Sequence, residues 1–243
     1  MDPIKAFEEE CEDRIARYRH HRRLNELSNQ WVRESWDEKY SYNFKWMGRP
    51  IIQLPQDIVA MQEIIWTVKP DLIVETGIAH GGSLVFSASM LELIGGDGQV
   101  IGIDIDIRNH NREEIEKHPM AKRITMVEGD SIDSTLVAHI RELATGHSRI
   151  LVCLDSCHEL EHVLAEMRAY SPLVSVDSYL VVFDTIVENL AGLKNAKEDF
   201  SINNPKAAVR AFLSENPDFI IDETWNAKLQ VTHNPSGFLK RIR

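Results

Sequence analysis

The sequence predicts an α/β protein: a Rossmann-like, doubly wound, mostly parallel sheet of seven strands with an N-terminal helical accessory segment. Three observations carry this expectation. From Leu54 onward, short buried-type strands alternate with helical stretches across short connections, the pattern of βαβ crossovers. The first strand runs straight into a glycine-bearing turn, DLIVETGIAHGGS, from Asp71 to Ser83. Four strands end in an acid, Glu75, Asp104, Asp155 and Asp184, at the edge where open parallel sheets bind their ligands.

Taken in order, residues 1–48 form the accessory segment and 49–243 the main domain. The accessory segment opens with charged, helix-like sequence and continues as WVRESWDEKYSYNFKW, dense in aromatics. Arg14, Arg17, Arg19, Arg22 and Arg23 interleave with His20 and His21. They read either as a basic face for an anionic partner or membrane surface, or as a solvated helix pairing with neighbouring acids. Trp31, Trp36, Tyr40, Tyr42, Phe44 and Trp46 are expected to pack on the main domain, with a share lining a substrate entrance. A helix over Pro55–Val68 precedes the first strand, 71–77, and a second helix spans Ser83–Leu93. Strands follow at Gln99–Ile105, Ile124–Glu128, Arg149–Asp155 and Tyr179–Asp184, separated by helices near 109–118, 131–144 and 157–170. The segment Thr185–Pro205 lacks apolar periodicity and reads as a lid, or as a loop without function. A helix over Pro205–Ser214 leads to two late strands, Phe219–Glu223 and Phe238–Ile242.

With 243 residues, 43% hydrophobic and 27% charged, the chain can bury a core of ordinary size. A net charge of −11 argues against general nucleic-acid binding, which needs a basic surface. No apolar run approaches a membrane span, and MDPIKAFEEECEDR is no signal peptide, so a cytoplasmic protein is expected. Cys11, Cys153 and Cys157 form no even framework and read as reduced thiols.

The glycine turn narrows the ligand. A dinucleotide site needs G-x-G-x-x-G, whereas this chain has E-x-G-x-x-x-G-G-S, and no Lys follows the glycines to hold phosphate. Gly77, Gly81 and Gly82 let the backbone approach a ligand, and Glu75 suits one carrying a cationic amino acid and a ribose. S-adenosylmethionine fits. Asp104 is placed to accept hydrogen bonds from ribose hydroxyls, or else caps its own loop. Asp130 faces an adenine edge, or else serves as the acid at the start of the next helix. Asp155 is pinned if Ser156 and Glu159 form a capping box. Leu160, Val163, Leu164 and Met167 then make that helix's apolar face, leaving His158 in its first turn and His162 one turn on. Asp155 and Asp184 are candidates for holding Mg²⁺, with His158 as acceptor of a substrate proton. The alternatives are that both acids cap turns and that His158 and His162 are ordinary surface or structural groups. Cys157, His158 and His162 lack the second ligand pair that zinc requires.

These residues sit in motifs that resemble the cephalosporin hydroxylase family, which includes rhamnosyl O-methyltransferases. The resemblance runs from about Phe44 to the end, through WMGRPIIQLPQDIVAMQEIIW, PDLIVETGIAHGGS, VIGIDID, LDSCHELEHVLAEM, SYLVVFDT and NPSGFLKRI. It implies a class I methyltransferase fold and S-adenosylmethionine, with Glu75, Gly77, Gly81, Ser83, Asp104 and Asp130 at cofactor positions. It also implies Mg²⁺ at Asp155 and at an acid pair after the fifth strand. Here the chain departs, reading Phe183-Asp184 where those relatives carry Glu-Asp. Glu188 is one replacement, and a weak or metal-free site is the other. His158 falls near the catalytic lysine of catechol-type methyltransferases, which supports a base role. No 2-His-1-carboxylate iron site is evident, so the family's "hydroxylase" name does not guide the chemistry.

The expected activity is S-adenosylmethionine-dependent O-methylation of a small-molecule or sugar hydroxyl. The alternatives are a metal-assisted hydroxylase or hydrolase, and a catalytically silent cofactor-binding subunit. The expected partners are the hydroxyl acceptor and further copies of the chain in a homo-oligomer.

Overall fold

The structure, a computed structural model, describes residues 2–243. Two helices, α1 (Pro3–Arg19) and α2 (Arg22–Asp37), precede a 3-10 turn at Tyr40–Asn43 and a two-stranded hairpin of β1 (Lys45–Trp46) and β2 (Arg49–Pro50). The alternating body then runs α3 (Pro55–Val68), β3 (Leu72–Thr76), α4 (Gly82–Ile94), β4 (Gln99–Asp104), α5 (Asn109–Glu116) and β5 (Ile124–Glu128). It continues through α6 (Ser134–Leu143), β6 (Ile150–Leu154), α7 (Leu160–Tyr170) and β7 (Tyr179–Val182). The last elements are α8 (Pro205–Glu215), β8 (Phe219–Ile221), α9 (Glu223–Leu229) and β9 (Phe238–Arg241).

The seven-stranded sheet has the order β5-β4-β3-β6-β7-β9-β8, parallel except for β9, which runs antiparallel to both β7 and β8. Its central strands explain its position. In β3 and β6 every residue is buried, LIVET against ILVCL, because helices cover both faces. Successive side chains divide between the faces, Ile73 and Leu151 entering the core under α3 and α4, Leu72 and Val74 the core under α6, α7 and α8. Each fully buried Ile or Leu in these layers contributes about 1.5–3 kcal/mol. Chain order reverses between β3 and β6: β4 and β5 lie to one side, β7 and the late strands to the other. This is the switch point at which doubly wound sheets open a ligand crevice.

The structure corrects several expectations. The helix after β6 starts at Leu160 and not at 157, so Ser156 is no N-cap; Glu159 holds that position without a side-chain cap. The Leu160 amide is instead capped from a distance by Asn203 Oδ1 at 2.8 Å. His158 therefore lies in the β6–α7 loop. The lid segment is not structureless: Thr185–Leu190 forms a 3-10 helix, and Ile186 and Leu190 pack on Val32 of α2. The first late strand is shorter than expected and gives way to α9, whose Trp225 packs on Phe238. Short, irregular apolar runs cannot distinguish these choices by period alone. In the accessory segment, Trp46 meets Phe86 edge-on at 4.9 Å, and arginines pair locally, Arg14 with Glu10 at 3.2 Å and Arg22 with Glu26 at 2.8 Å.

Candidate active site and cofactor cleft

The site grows out of the exits of β3, β4, β6 and β7. Gly77 follows β3 at φ +89°, and a Cβ there would stand 2.1 Å from the Asp155 carbonyl oxygen. Only glycine lets the two exits meet. The turn beyond it is held from several sides. Asp104 Oδ2 accepts from the amides of Ile78 at 2.8 Å and Ala79 at 3.2 Å. Arg49 donates twice to the His80 carbonyl, at 2.9 and 2.6 Å, and once to Asn111 Oδ1 at 2.9 Å. Asn111 in turn donates to the Ala79 carbonyl at 2.8 Å. Gly81, at φ +76°, then starts α4 with no side chain capping its first turn, and Gly82 and Ser83 stand in the cleft wall. Uncapped amides at a helix start form a site for an anionic group. Behind them Glu75 is buried, with Ser83 donating its hydroxyl to it. Burial pushes the Glu75 carboxyl up to about 8, against the Ser83 hydrogen bond and with the help of the Asp155 charge.

Across the cleft stand two acids and a histidine. The Asp155 amide donates to the Thr76 carbonyl at 2.8 Å, which fixes the residue just past β6. Asp184 sits in the left-handed region at φ 53°, its amide held by Asn234 Oδ1 at 3.0 Å. His158 Nε2 lies 3.3 Å from Asp184 Oδ2 and 3.8 Å from Asp155 Oδ1. One ligand-type atom from each of the three falls within 4.8 Å of the others. Burial alone would depress the His158 imidazolium, but the Asp184 charge and the Asp155 hydrogen bond outweigh it and raise its pKa to about 9. Burial likewise lifts Asp155 to about 6, with the His158 hydrogen bond pulling the other way. The imidazolium thus serves as the cation between two carboxylates.

A third wall was not anticipated. Asp57, buried in α3, accepts from the Thr232 hydroxyl and from the His233 amide at 2.9 Å. It thereby brings His233 Nδ1 to 3.7 Å from Asp184 Oδ1. Asn234 is fully buried in the same wall, and its Nδ2 has no partner among the described residues. Arg49, Asp57, Asn111, His233 and Asn234 are the site residues that sequence reasoning passed over. Four of them lie in stretches conspicuous for Gly, Pro and polar residues, GRP, LPQD and THNPSG, while Asn111 had no local signal.

Of the expected site residues, Gly77, Ser83, Asp155, His158 and Asp184 line this one cleft. Glu75 reaches it through Ser83, and Gly81 shapes its rim. Asp104 braces the turn from β4. Asp130 stands apart, on a shallow surface with Gly129 and Asp133, its Oδ1 accepting from the Ile132 amide at 3.1 Å. The acid that caps the following helix is Asp133. Glu188 is no third ligand: it pairs with Arg210 and, at 3.5 Å, with Lys206. Phe183 is buried and offers no donor. His162 is tied to buried Glu166, 3.5 Å away, and Ser156 donates to the same carboxylate at 2.6 Å. The three cysteines are free thiols, and no helix among the described residues is long and apolar enough to cross a membrane.

A parallel sheet in this order, with a glycine turn after its first central strand and acids at the exits of the next, defines a class I methyltransferase. Solved structures share the fold: CmcI with Mg and S-adenosylmethionine has a TM-score of 0.58 at 24% identity, covering 83% of this chain and 78% of that one. An O-methyltransferase from Bacillus cereus with S-adenosylhomocysteine gives 0.52 at 15% identity, covering 78% and 80%. The Rhamnosyl O-methyltransferase/CmcI family model matches residues 38–242. Rhamnosyl O-methyltransferase from Mycobacterium bovis (strain BCG / Pasteur 1173P2) is 31% identical over 220 residues, 86% of this chain and 85% of that protein. Its counterpart from Mycobacterium leprae is 30% identical over 217 residues, 86% and 90%. The chain belongs to the rhamnosyl O-methyltransferase/CmcI family. It is an S-adenosylmethionine-dependent O-methyltransferase.

Proposed function

We propose that this chain methylates a hydroxyl of a sugar or other small molecule in the cleft between the exits of β3, β6 and β7. The observation that carries the reading is the convergence of Asp155, His158 and Asp184 to within 4.8 Å, in the same cleft as the Gly77–Ser83 turn. The residues of that turn fit the methionine end of S-adenosylmethionine. Buried Glu75 suits its ammonium, and the uncapped amides of α4 suit its carboxylate. Asp104 acts through the turn, its carboxylate holding the Ile78 and Ala79 amides, and Asp130 lies outside this cleft.

Asp155 and Asp184 would hold a hard cation such as Mg²⁺ through their carboxylate oxygens, while Phe183 offers no donor. When bound, such an ion lowers the pKa of a coordinated hydroxyl. His158, 3.3 Å from Asp184 and 3.8 Å from Asp155, is the group that would accept the proton of the acceptor hydroxyl, in its neutral imidazole form. The acceptor oxygen bonds to the methyl carbon as the carbon–sulfur bond breaks, and S-adenosylhomocysteine leaves. Most of the acceleration from this chain comes from aligning oxygen, carbon and sulfur.

Calorimetry tests this directly. S-adenosylmethionine should bind the wild type, and Mg²⁺ should give a second binding event that Asp155→Asn abolishes without weakening the cofactor. Failure to bind S-adenosylmethionine sinks the reading; a Mg²⁺ isotherm unchanged in Asp155→Asn removes the metal assignment.

A further inference from the structure

Gln53 is a buried polar residue with nothing in the protein to bind. It is 6% exposed, and no described residue donates to its carboxamide or accepts from it. The side chain lines the same cleft as the Gly77–Ser83 turn, Asp155 and Asp184. A buried carboxamide without partners costs stability unless a ligand or ordered water supplies them.

The backbone is strained in putting it there. Ile52, the residue before it, stands at φ 52°, in the left-handed region that a β-branched side chain rarely enters. Two contacts hold the segment against that preference. Arg49 fastens it to the glycine turn through the His80 carbonyl, at 2.9 and 2.6 Å. Pro50 and Ile51 then lie directly on the first residue of α4: a Cβ at Gly82 would stand 2.1 Å from the Pro50 carbonyl oxygen and 2.6 Å from Ile51 Cα. Segment 49–53 is thus laid over the start of α4, with Gln53 two residues past the contact. At that start the 13-residue helix has no side-chain cap, and its free amides favour an anion. Helix amides and a buried carboxamide therefore open into one cleft, and neither has a partner in the protein.

We propose that Gln53 is a cofactor contact, its Nε2 donating to the methionine carboxylate of S-adenosylmethionine, which the α4 amides bind from the other side. This rests on the methyltransferase reading of the cleft. The carboxylate is then held between a helix of the sheet and a segment that precedes the sheet. The cleft accordingly selects a methyl donor with an intact amino-acid end over one that has lost its carboxyl group.

Two ligands that differ only in that carboxylate make the test: S-adenosylmethionine and its decarboxylated form, titrated into the full chain by calorimetry, with displacement of S-adenosylhomocysteine where binding is weak. The wild type should prefer S-adenosylmethionine. Gln53→Met keeps the length of the side chain and removes the amide. It should weaken S-adenosylmethionine by about 10-fold, the scale of one lost hydrogen bond to a charged group, and leave the decarboxylated form within about twofold. Gln53→Ala should show the same selective loss, and retained binding of the decarboxylated form shows that each variant is folded. Equal losses for the two ligands, or no loss for either, overturn the proposal, because Gln53 then shapes the cleft without touching the carboxylate. A wild type that binds both forms equally overturns it as well and leaves the methyltransferase reading standing. If the wild type binds neither, both fall.

Discussion

Glu75 stands in an environment far from water. It is buried with one neutral hydrogen bond, and its pKa rises to about 8. The consequence for stability has a definite sign. The unfolded chain releases this proton near the ordinary Glu value of ~4.3, the folded chain only near 8, so stability falls as pH rises between those values and levels off above them. Glu75→Gln should flatten that slope and melt above the wild type at pH 8–9 in thermal scans. It should also lose affinity for S-adenosylmethionine, whose ammonium the carboxylate no longer faces. If instead the variant keeps the wild-type slope, the shift belongs to other buried acids such as Asp57. His158 makes a different prediction. In the proposed role of proton acceptor it would meet the reacting hydroxyl and not the cofactor, so His158→Ala should lower kcat by about 10²- to 10⁴-fold with S-adenosylmethionine affinity retained. Wild-type turnover in that variant would mean that alignment alone suffices.

At the scale of elements, each site side chain depends on a contact from a different part of the chain. Asp155 is where it is because Gly77 has no Cβ, and Gly77→Ala places a methyl group 2.1 Å from the Asp155 carbonyl while demanding φ +89° of a non-glycine residue. That variant should lose both melting temperature and cofactor affinity, where Gly48→Ala, which meets the same left-handed φ of +90° but has open space around its Cβ, carries the backbone strain alone and should lose less and keep cofactor affinity. The β6–α7 loop carrying His158 ends at a helix whose first amide is capped by Asn203 from the far side of the segment after β7. Asn203 also donates to Asp199 at 2.8 Å, so the cap is itself held. Asn203→Ala should cost about 0.5–2 kcal/mol in urea unfolding, the range for a lost cap. A change within error would mean water replaces the cap at no cost.

For the whole molecule, the two N-terminal helices differ in how they are attached. α2 buries Ser28 and Val32, and its last residues, Trp36 and Asp37, line a hollow beside His158 and Asp184, whereas α1 buries no residue and rests on α9. Its charges pair within the helix, as Lys5 with Glu9 at 3.9 Å and Arg14 with Glu10, and exposed pairs of that kind contribute little. Amide hydrogen exchange should therefore be fast across 3–19 and slow across 28–36. Equal protection of the two helices would require an interface over α1 that the single chain does not contain.

The sequence by itself determined the layer order of the molecule and one side of its site. Short buried runs such as LIVET and ILVCL, alternating with helical stretches, read as central parallel strands, and an acid or glycine directly after such a strand falls at the sheet's ligand edge, so Glu75, Gly77, Ser83, Asp155 and Asp184 were legible from local pattern. His158 was legible as a residue, but its setting was not, because the helix start depends on Asn203, 43 positions further on in the chain. Asp57 and His233 are 176 residues apart and Trp36 and Phe200 lie on separate segments, yet each pair makes one wall. Periodicity reports only neighbours along the chain. Which distant polar groups pair, and which aromatic residues frame the hollow beside His158, was decided by tertiary packing, where a buried donor or acceptor must find its partner wherever the fold brings one.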